Sequence, residues 1–101
     1  MKIIKDIANR IEEELHDAET YAKLATIYRP DHPEASDTFL TISRQELSHA
    51  NMLHAQAERM IKEYRERGNT VPPAMQAVYD WEHEKMIDNM ARIKTMQDMI
   101  R

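Results

Sequence analysis

Cysteine is absent from the 101-residue sequence, which excludes disulfides and thiolate chemistry. Any bound metal must therefore be held by oxygen and imidazole ligands. Glycine occurs once, and the four prolines fall in two short stretches, so long segments contain no residue that breaks helices. These absences favour an all-α fold.

Long apolar runs and basic stripes are also missing. No segment approaches the ~20 apolar residues that span a bilayer, and the N-terminal MKIIKDIANR turns polar too early for a signal peptide. The net charge is −4, with Lys and Arg scattered among acidic residues, so neither a membrane nor nucleic acid is an expected partner. We expect a single helical domain over residues 1–101, with the cytoplasm as the default location.

Two turns divide the chain, at residues 29–33 and 68–73, where the prolines and Gly68 lie. Gly68 follows a charged helix end, as a C-terminal cap does. The sequence therefore predicts three helices: α1 from about Ile3 to Tyr28, α2 from Pro33 or Glu34 to about Arg67, and α3 from about Pro73 to the C-terminus.

Each predicted helix carries an apolar stripe at spacings of three and four residues, and methionines fill several core positions. Trp81 lies off the centre of its stripe, and we expect it to anchor a subunit contact. The stripes are Ile4, Ile7, Ile11, Ala18, Tyr21, Ala25 and Tyr28 in α1; Phe39, Ile42, Leu53, Ala57, Met60 and Tyr64 in α2; and Met75, Val78, Tyr79, Met86, Met90, Ile93, Met96 and Ile100 in α3.

Acidic residues interrupt these stripes. Glu14 falls almost at the centre of the α1 stripe and Glu46 at the centre of the α2 stripe, with His49 roughly 60° away. A carboxylate on a core face is costly unless it is paired or bound to metal. Counted from a turn near residue 31, the three residues lie within a few ångströms of one level at about 1.5 Å per residue. We therefore predict that Glu14, Glu46 and His49 are metal ligands.

Other candidates compete with this interpretation. A buried salt-bridge network or a polar layer at a subunit interface would place the same residues inward. A second Glu-x-x-His, Glu13 to His16, faces the opposite side of α1 and is expected in solvent. Glu82 interrupts the α3 stripe. Counting residues from the turn near residue 70, however, places it about 18 Å from Glu46 along the helix axis, nearer Glu58 and Arg59. His54 is expected to be packed or partly exposed, and His32 and His83 to be solvated.

The segments EEELHDAETYAKLA and FLTISRQELSHANMLH resemble the first two helices of the ferritin-like superfamily. The first is similar to bacterioferritins and encapsulated ferritins, with Glu14 followed seven residues later by Tyr21. The second resembles the Glu-x-x-His helix of rubrerythrins and ferritins. The resemblance covers about residues 8 to 64 and implies iron binding, with oxidation of Fe(II) by oxygen or peroxide.

A dinuclear site of this class uses two single glutamates and two Glu-x-x-His pairs on four helices. One chain supplies half of that set, so we expect a homodimer, or a higher homo-oligomer, that completes a four-helix bundle around a di-iron site. The resemblance gives Tyr21 a supporting role, hydrogen-bonding a ligand carboxylate or passing an electron. It also implies an encapsulin-type shell as a partner, although the C-terminal IKTMQDMIR does not resemble a targeting peptide.

Two other functions remain open from the residues. The first is a metal-free helical assembly or adaptor protein that keeps the same bundle. The second is a mononuclear Mn or Zn site on Glu14, Glu46 and His49, since carboxylate and imidazole suit those ions as well as iron.

Overall fold

A computed structural model of the chain describes residues 2–101, which form three α-helices joined by short turns. The helices are α1, Lys2–Tyr28, α2, Pro33–Glu66, and α3, Pro73–Asp98. These bounds confirm the all-α prediction and lie within a few residues of the predicted ends. None of the three helices has the length and hydropathy needed to cross a membrane.

Proline and glycine set the helix ends. Pro33 and Pro73 begin α2 and α3, at the first helical position, where a backbone N–H would have no partner inside the helix. Gly68 follows α2 with a φ of 83°, a left-handed conformation that other residues rarely adopt. Its N–H donates to the carbonyl oxygen of Arg65 at 3.0 Å. Gly68 therefore ends α2, as its position in the sequence predicts.

Small side chains pack α1 against α2 in an antiparallel hairpin. Four alanines in this contact are fully buried, namely Ala18, Ala22, Ala25 and Ala50. The Ser36 hydroxyl donates to the carbonyl oxygen of Ala25 at 2.6 Å, and the Ser43 hydroxyl donates to that of Ala18, also at 2.6 Å. These two buried bonds stabilise this register of the hairpin.

The buried stripe of the hairpin is rotated from the predicted one. Leu15 and Leu47 are 5% and 9% exposed although neither is in a predicted stripe, and Leu40 is also buried. Tyr28, which the predicted α1 stripe included, is 41% exposed. The large aromatic side chains Tyr21, Phe39 and Tyr28 lie near one another beside the core, whereas small residues at the centre let the helices approach closely.

The second half of α3 packs along one side of the hairpin, parallel to α1. Met86 and Ile93 join the core, and Ile93 is only 1% exposed. The Arg92 guanidinium donates two hydrogen bonds of 2.9 Å to the carboxylate of Glu19. The three helices form a rod with extents of 57 × 18 × 17 Å.

The first half of α3 departs from the prediction. Met75 and Val78 were expected in its buried stripe, but they are 52% and 63% exposed. Trp81 is 59% exposed, and the Lys85 ammonium lies 5.2 Å from the centre of its ring. Apolar residues occupy several faces of this helix, so periodicity alone did not indicate which face would be covered.

Candidate metal centre

The three predicted ligands meet on one side of the hairpin. The Nδ1 atom of His49 lies 3.5 Å from Oε2 of Glu14 and 3.9 Å from Oε2 of Glu46. One potential ligand atom of each residue lies within 4.8 Å of the other two. The structure thus brings together the residues that helix face and height had selected.

Burial is uneven within this cluster. The side chains of Glu14 and Glu46 are 18% and 22% exposed, whereas that of His49 is 54% exposed. The Oε2 atom of Glu14 is buried and accepts no hydrogen bond from any residue in the range 2–101. A buried carboxylate oxygen without a donor is unfavourable, and a bound cation would satisfy it.

The cluster lies at the edge of the core, which corrects the central position expected from the sequence. Glu14 is about 60° around α1 from Ile11, on the flank away from Leu15. Ile11 and Leu15 line the cleft between α1 and α3. Glu14 therefore faces the side of the hairpin that α3 leaves open, where a further molecule has access to it.

Apolar side chains continue along this open flank. The rings of Tyr21 and Phe39 are 6.1 Å apart, and those of Phe39 and Tyr28 are 6.2 Å apart. Ile42 is half-buried and lies between Phe39 and Glu46 on α2. Tyr21 is half-buried and does not donate a hydrogen bond to the unpaired Oε2 atom of Glu14. The supporting role of Tyr21 therefore stays a prediction.

Glu82 lies away from the cluster. It lines a cleft of about 270 Å³ between α1 and α3, together with His54 and His83. His83 Nε2 is 3.8 Å from Oε1 of Glu58, so this part of α3 lies beside Glu58. The sequence predicts Glu82 in this same region, near Glu58.

A second group of potential ligands was missed from the sequence. His54, Glu58 and His83 also place one ligand atom each within 4.8 Å of the others. His54 is half-buried, and burial lowers its pKa; His83, expected in solvent, is half-buried too. A signal was present, because His54 is 16 residues before residue 70 and His83 is 13 after it. The rotation of α3 about its axis, which decides whether they meet, was not evident.

The ion pair of Glu19 and Arg92 fixes the other flank of α1. The two hydrogen bonds from Arg92 lower the pKa of Glu19 to about 2, although partial burial opposes the shift. The same bonds raise the pKa of Arg92. Because this pair holds α3 on its own side of α1, it helps to keep the Glu14 flank uncovered.

No protein-family model, curated protein or solved structure matches the chain. The resemblance to the ferritin-like superfamily consequently rests on the residues of α1 and α2 themselves. What the site offers chemically is two largely buried carboxylates and one accessible imidazole, a set that suits divalent iron, manganese or zinc.

Proposed function

We propose that the chain is a ferritin-like metal-binding protein that oxidises Fe(II) at a dinuclear site shared by two copies. The observation that carries this proposal is the Oε2 atom of Glu14, which is buried beside His49 and Glu46 and has no hydrogen-bond donor among the described residues. Those three residue types on two antiparallel helices are half of the ligand set of a di-iron carboxylate site.

The open flank of the hairpin supports a second copy as the source of the other half. A two-fold axis passing beside Glu14 and Glu46 would bring two single glutamates and two Glu-x-x-His pairs together on four helices. Tyr21, Phe39 and Ile42 extend the same flank and would supply apolar contact area. Such an interface would also bury the half-exposed imidazole of His49.

Each residue then has a distinct role. Glu46 of each chain would serve both metal positions, Glu14 would serve one, and His49 would complete the ligand set of each. Fe(II) is the substrate, its electrons pass to oxygen or peroxide, and Fe(III) leaves. Tyr21 lies on the same flank as Glu14, where its phenol would support a ligand carboxylate or carry an electron.

The test is titration of the metal-free protein with Fe(II) under anaerobic conditions, followed by admission of air. We expect saturable binding of about one ion per chain at Glu14, Glu46 and His49, and then a rise in near-ultraviolet absorbance. Glu46→Ala should remove that ion and abolish the absorbance rise. Glu13→Ala is the matched control, because Glu13 belongs to the Glu-x-x-His of the opposite face. An absent absorbance rise, with the same binding in Glu46→Ala, would overturn the proposal.

Ion spacing separates a shared dinuclear site from a mononuclear one with the same stoichiometry. An anomalous-scattering map of the metal-loaded crystal should show two ions ~3.5–4 Å apart. A single isolated ion on Glu14, Glu46 and His49 would instead indicate a mononuclear Mn or Zn protein.

A metal-free helical assembly or adaptor is the second candidate function. It is favoured by the exposed apolar side chains of α3, namely Met75, Val78 and Trp81. Elemental analysis of the His83→Gln chain, after expression with added iron, manganese and zinc, decides between the two candidates, because that variant lacks a ligand of the second His/Glu group. The absence of any stoichiometric metal, with full dimerisation of Glu46→Ala, would favour the assembly function.

A further inference from the structure

The second His/Glu group lies on the opposite side of the hairpin from Glu14. Nε2 of His54 is 3.2 Å from Oε1 of Glu58, and Nε2 of His83 is 3.8 Å from the same oxygen. The two imidazole rings stack with their centres 4.8 Å apart and planes inclined by 20°. Two Nε2 atoms from different helices thus converge on one carboxylate.

One of these nitrogens is unsatisfied. The Nε2 atom of His54 is buried and forms no hydrogen bond with any residue between 2 and 101. Glu58 is within 3.2 Å, but the geometry does not make a hydrogen bond. A buried polar atom without a partner is unfavourable, so a ligand for this nitrogen is expected.

An ion pair alone explains the arrangement less well. If both imidazoles were protonated to pair with Glu58, two positive rings would stack face to face at 4.8 Å. If either imidazole carried a proton on Nε2, that N–H would donate a hydrogen bond to the carboxylate, yet His54 Nε2 forms none and His83 Nε2 is 3.8 Å from Glu58. A cation between the three ligand atoms accounts for the convergence and keeps both imidazoles neutral.

We propose that His54, Glu58 and His83 bind a divalent ion of the Zn(II) class that fastens α3 to α2. Two imidazoles and one carboxylate are a known zinc ligand set that leaves one position open. His54 and His83 both line the cleft of about 270 Å³, so a water or the nearby Glu82 has access to that position. The Tyr79 ring stacks on His83, with centres 6.0 Å apart, and limits rotation of its imidazole.

The proposed ion has a structural consequence for α3. The first half of that helix exposes apolar residues, and near its start a hydrogen bond between Arg65 and Gln76 joins it to α2 at the surface. A ligand from α3 and two from α2 on one ion would hold the helices together where the core does not. Metal binding should therefore order the first half of α3.

The experiment uses the full chain with Glu46→Ala and His49→Ala, so that the site of the proposed function is absent. Metal-free protein is titrated with Co(II), whose visible absorption reports ligand geometry, and then with Zn(II). We expect one Co(II) per chain, displaced by Zn(II), and slower hydrogen exchange in α3 with Zn(II) bound. His83→Gln and Glu58→Gln should each weaken binding by at least about tenfold.

Matched controls are His32→Gln and Glu63→Gln, which change the same residue types at exposed positions elsewhere. They should bind as the parent does. The proposal is overturned by an absence of saturable binding in a parent that keeps its helical circular dichroism, or by unchanged affinity in both ligand variants. If one ligand variant loses its helicity, the other decides. The result is independent of iron oxidation, because the Co(II) and Zn(II) titrations use a chain that lacks both Glu46 and His49.

Discussion

Ser43 accepts a hydrogen bond of 2.9 Å from the Gln97 amide while its own hydroxyl donates to the carbonyl oxygen of Ala18. Both side chains are buried, Gln97 being 2% exposed. One hydroxyl thus connects all three helices. Removing it strands the Gln97 amide in the core, and an unsatisfied buried group destabilises more than the loss of an ordinary hydrogen bond.

Ser43→Ala should therefore lower the free energy of unfolding by about 1–3 kcal/mol. Ser36→Ala is the control, because Ser36 is equally buried but donates only to Ala25, and it should cost about 1 kcal/mol. Urea unfolding followed by circular dichroism measures both. Equal losses in the two variants would mean that Gln97 contributes nothing through Ser43.

Glu14→Gln should have opposite effects with and without metal. In chelator-treated protein, it replaces a buried carboxylate, one oxygen of which has no donor, with a neutral amide that costs less to bury, and stability should rise by on the order of 1 kcal/mol. In the metal-loaded protein, the same change removes a ligand, so the part of the increase in melting temperature that comes from metal at Glu14, Glu46 and His49 should be lost.

Differential scanning fluorimetry with and without Mn(II) measures both effects. Glu13→Gln, on the exposed face of α1, should change the stability of the metal-free protein by no more than about 0.5 kcal/mol. It should also leave the increase in melting temperature with Mn(II) as it is in the parent. A metal-free Glu14→Gln protein that melts below the parent would contradict the prediction.

Ile42→Asp should prevent two copies from associating through the open flank, because it places a charge between Phe39 and the proposed ligand Glu46. Sedimentation equilibrium should show a monomer, and Fe(II) oxidation should fall by at least about tenfold, since the site is shared. Ile27→Asp is the matched control: Ile27 is 64% exposed and lies about 160° around α1 from Ile11. A dimeric, active Ile42→Asp protein would place the interface elsewhere.

Glu19→Gln should reduce the acid sensitivity of the fold. Its folded pKa of about 2 lies below the ordinary value of 4.5, so the pair with Arg92 stabilises the protein fully above pH 4.5. That contribution is lost as the pH falls from 4.5 through about 2. At pH 7 we expect Glu19→Gln to cost up to about 1 kcal/mol, because Arg92 is half exposed and the pair is partly screened.

Urea unfolding of parent and variant at several pH values between 7 and 2 measures this difference. The gap between them should close as the pH falls. Glu13→Gln, which removes the more exposed pair with Arg10, is the control and should show a smaller gap throughout. A gap that widens in acid would rule out the proposed cause.

Local sequence signals were enough to predict the helices and the meeting of Glu14, Glu46 and His49. Prolines and Gly68 set the ends of the helices, and a rigid rise per residue sets the height of each side chain. The centre of the core was harder to predict from the sequence, because Leu15, Ala22 and Ala50 carry a weaker signal than Tyr21 and Tyr28. Aromatic residues on a flank shifted the predicted stripe toward them.

The position of α3 could not be predicted in the same way. Its apolar residues surround the helix, so its orientation depends on particular contacts such as Arg92 with Glu19 and Gln97 with Ser43. Those contacts bring His83 beside His54 and leave Met75 exposed. Neither outcome follows from the spacing of residues within α3 alone.

The buried serine bonds repeat at an interval of seven residues on both helices of the hairpin, Ser36 with Ala25 and Ser43 with Ala18. A hairpin slipped by one such interval would pair Ser43 with Ala25 and bring Ala50 opposite Ala18, so small-residue packing alone discriminates weakly between the two alignments. The same slip would separate Glu14 from Glu46 by about 10 Å. A metal held by both residues would therefore select the native alignment of the hairpin, because it binds tightly only to chains folded in that alignment.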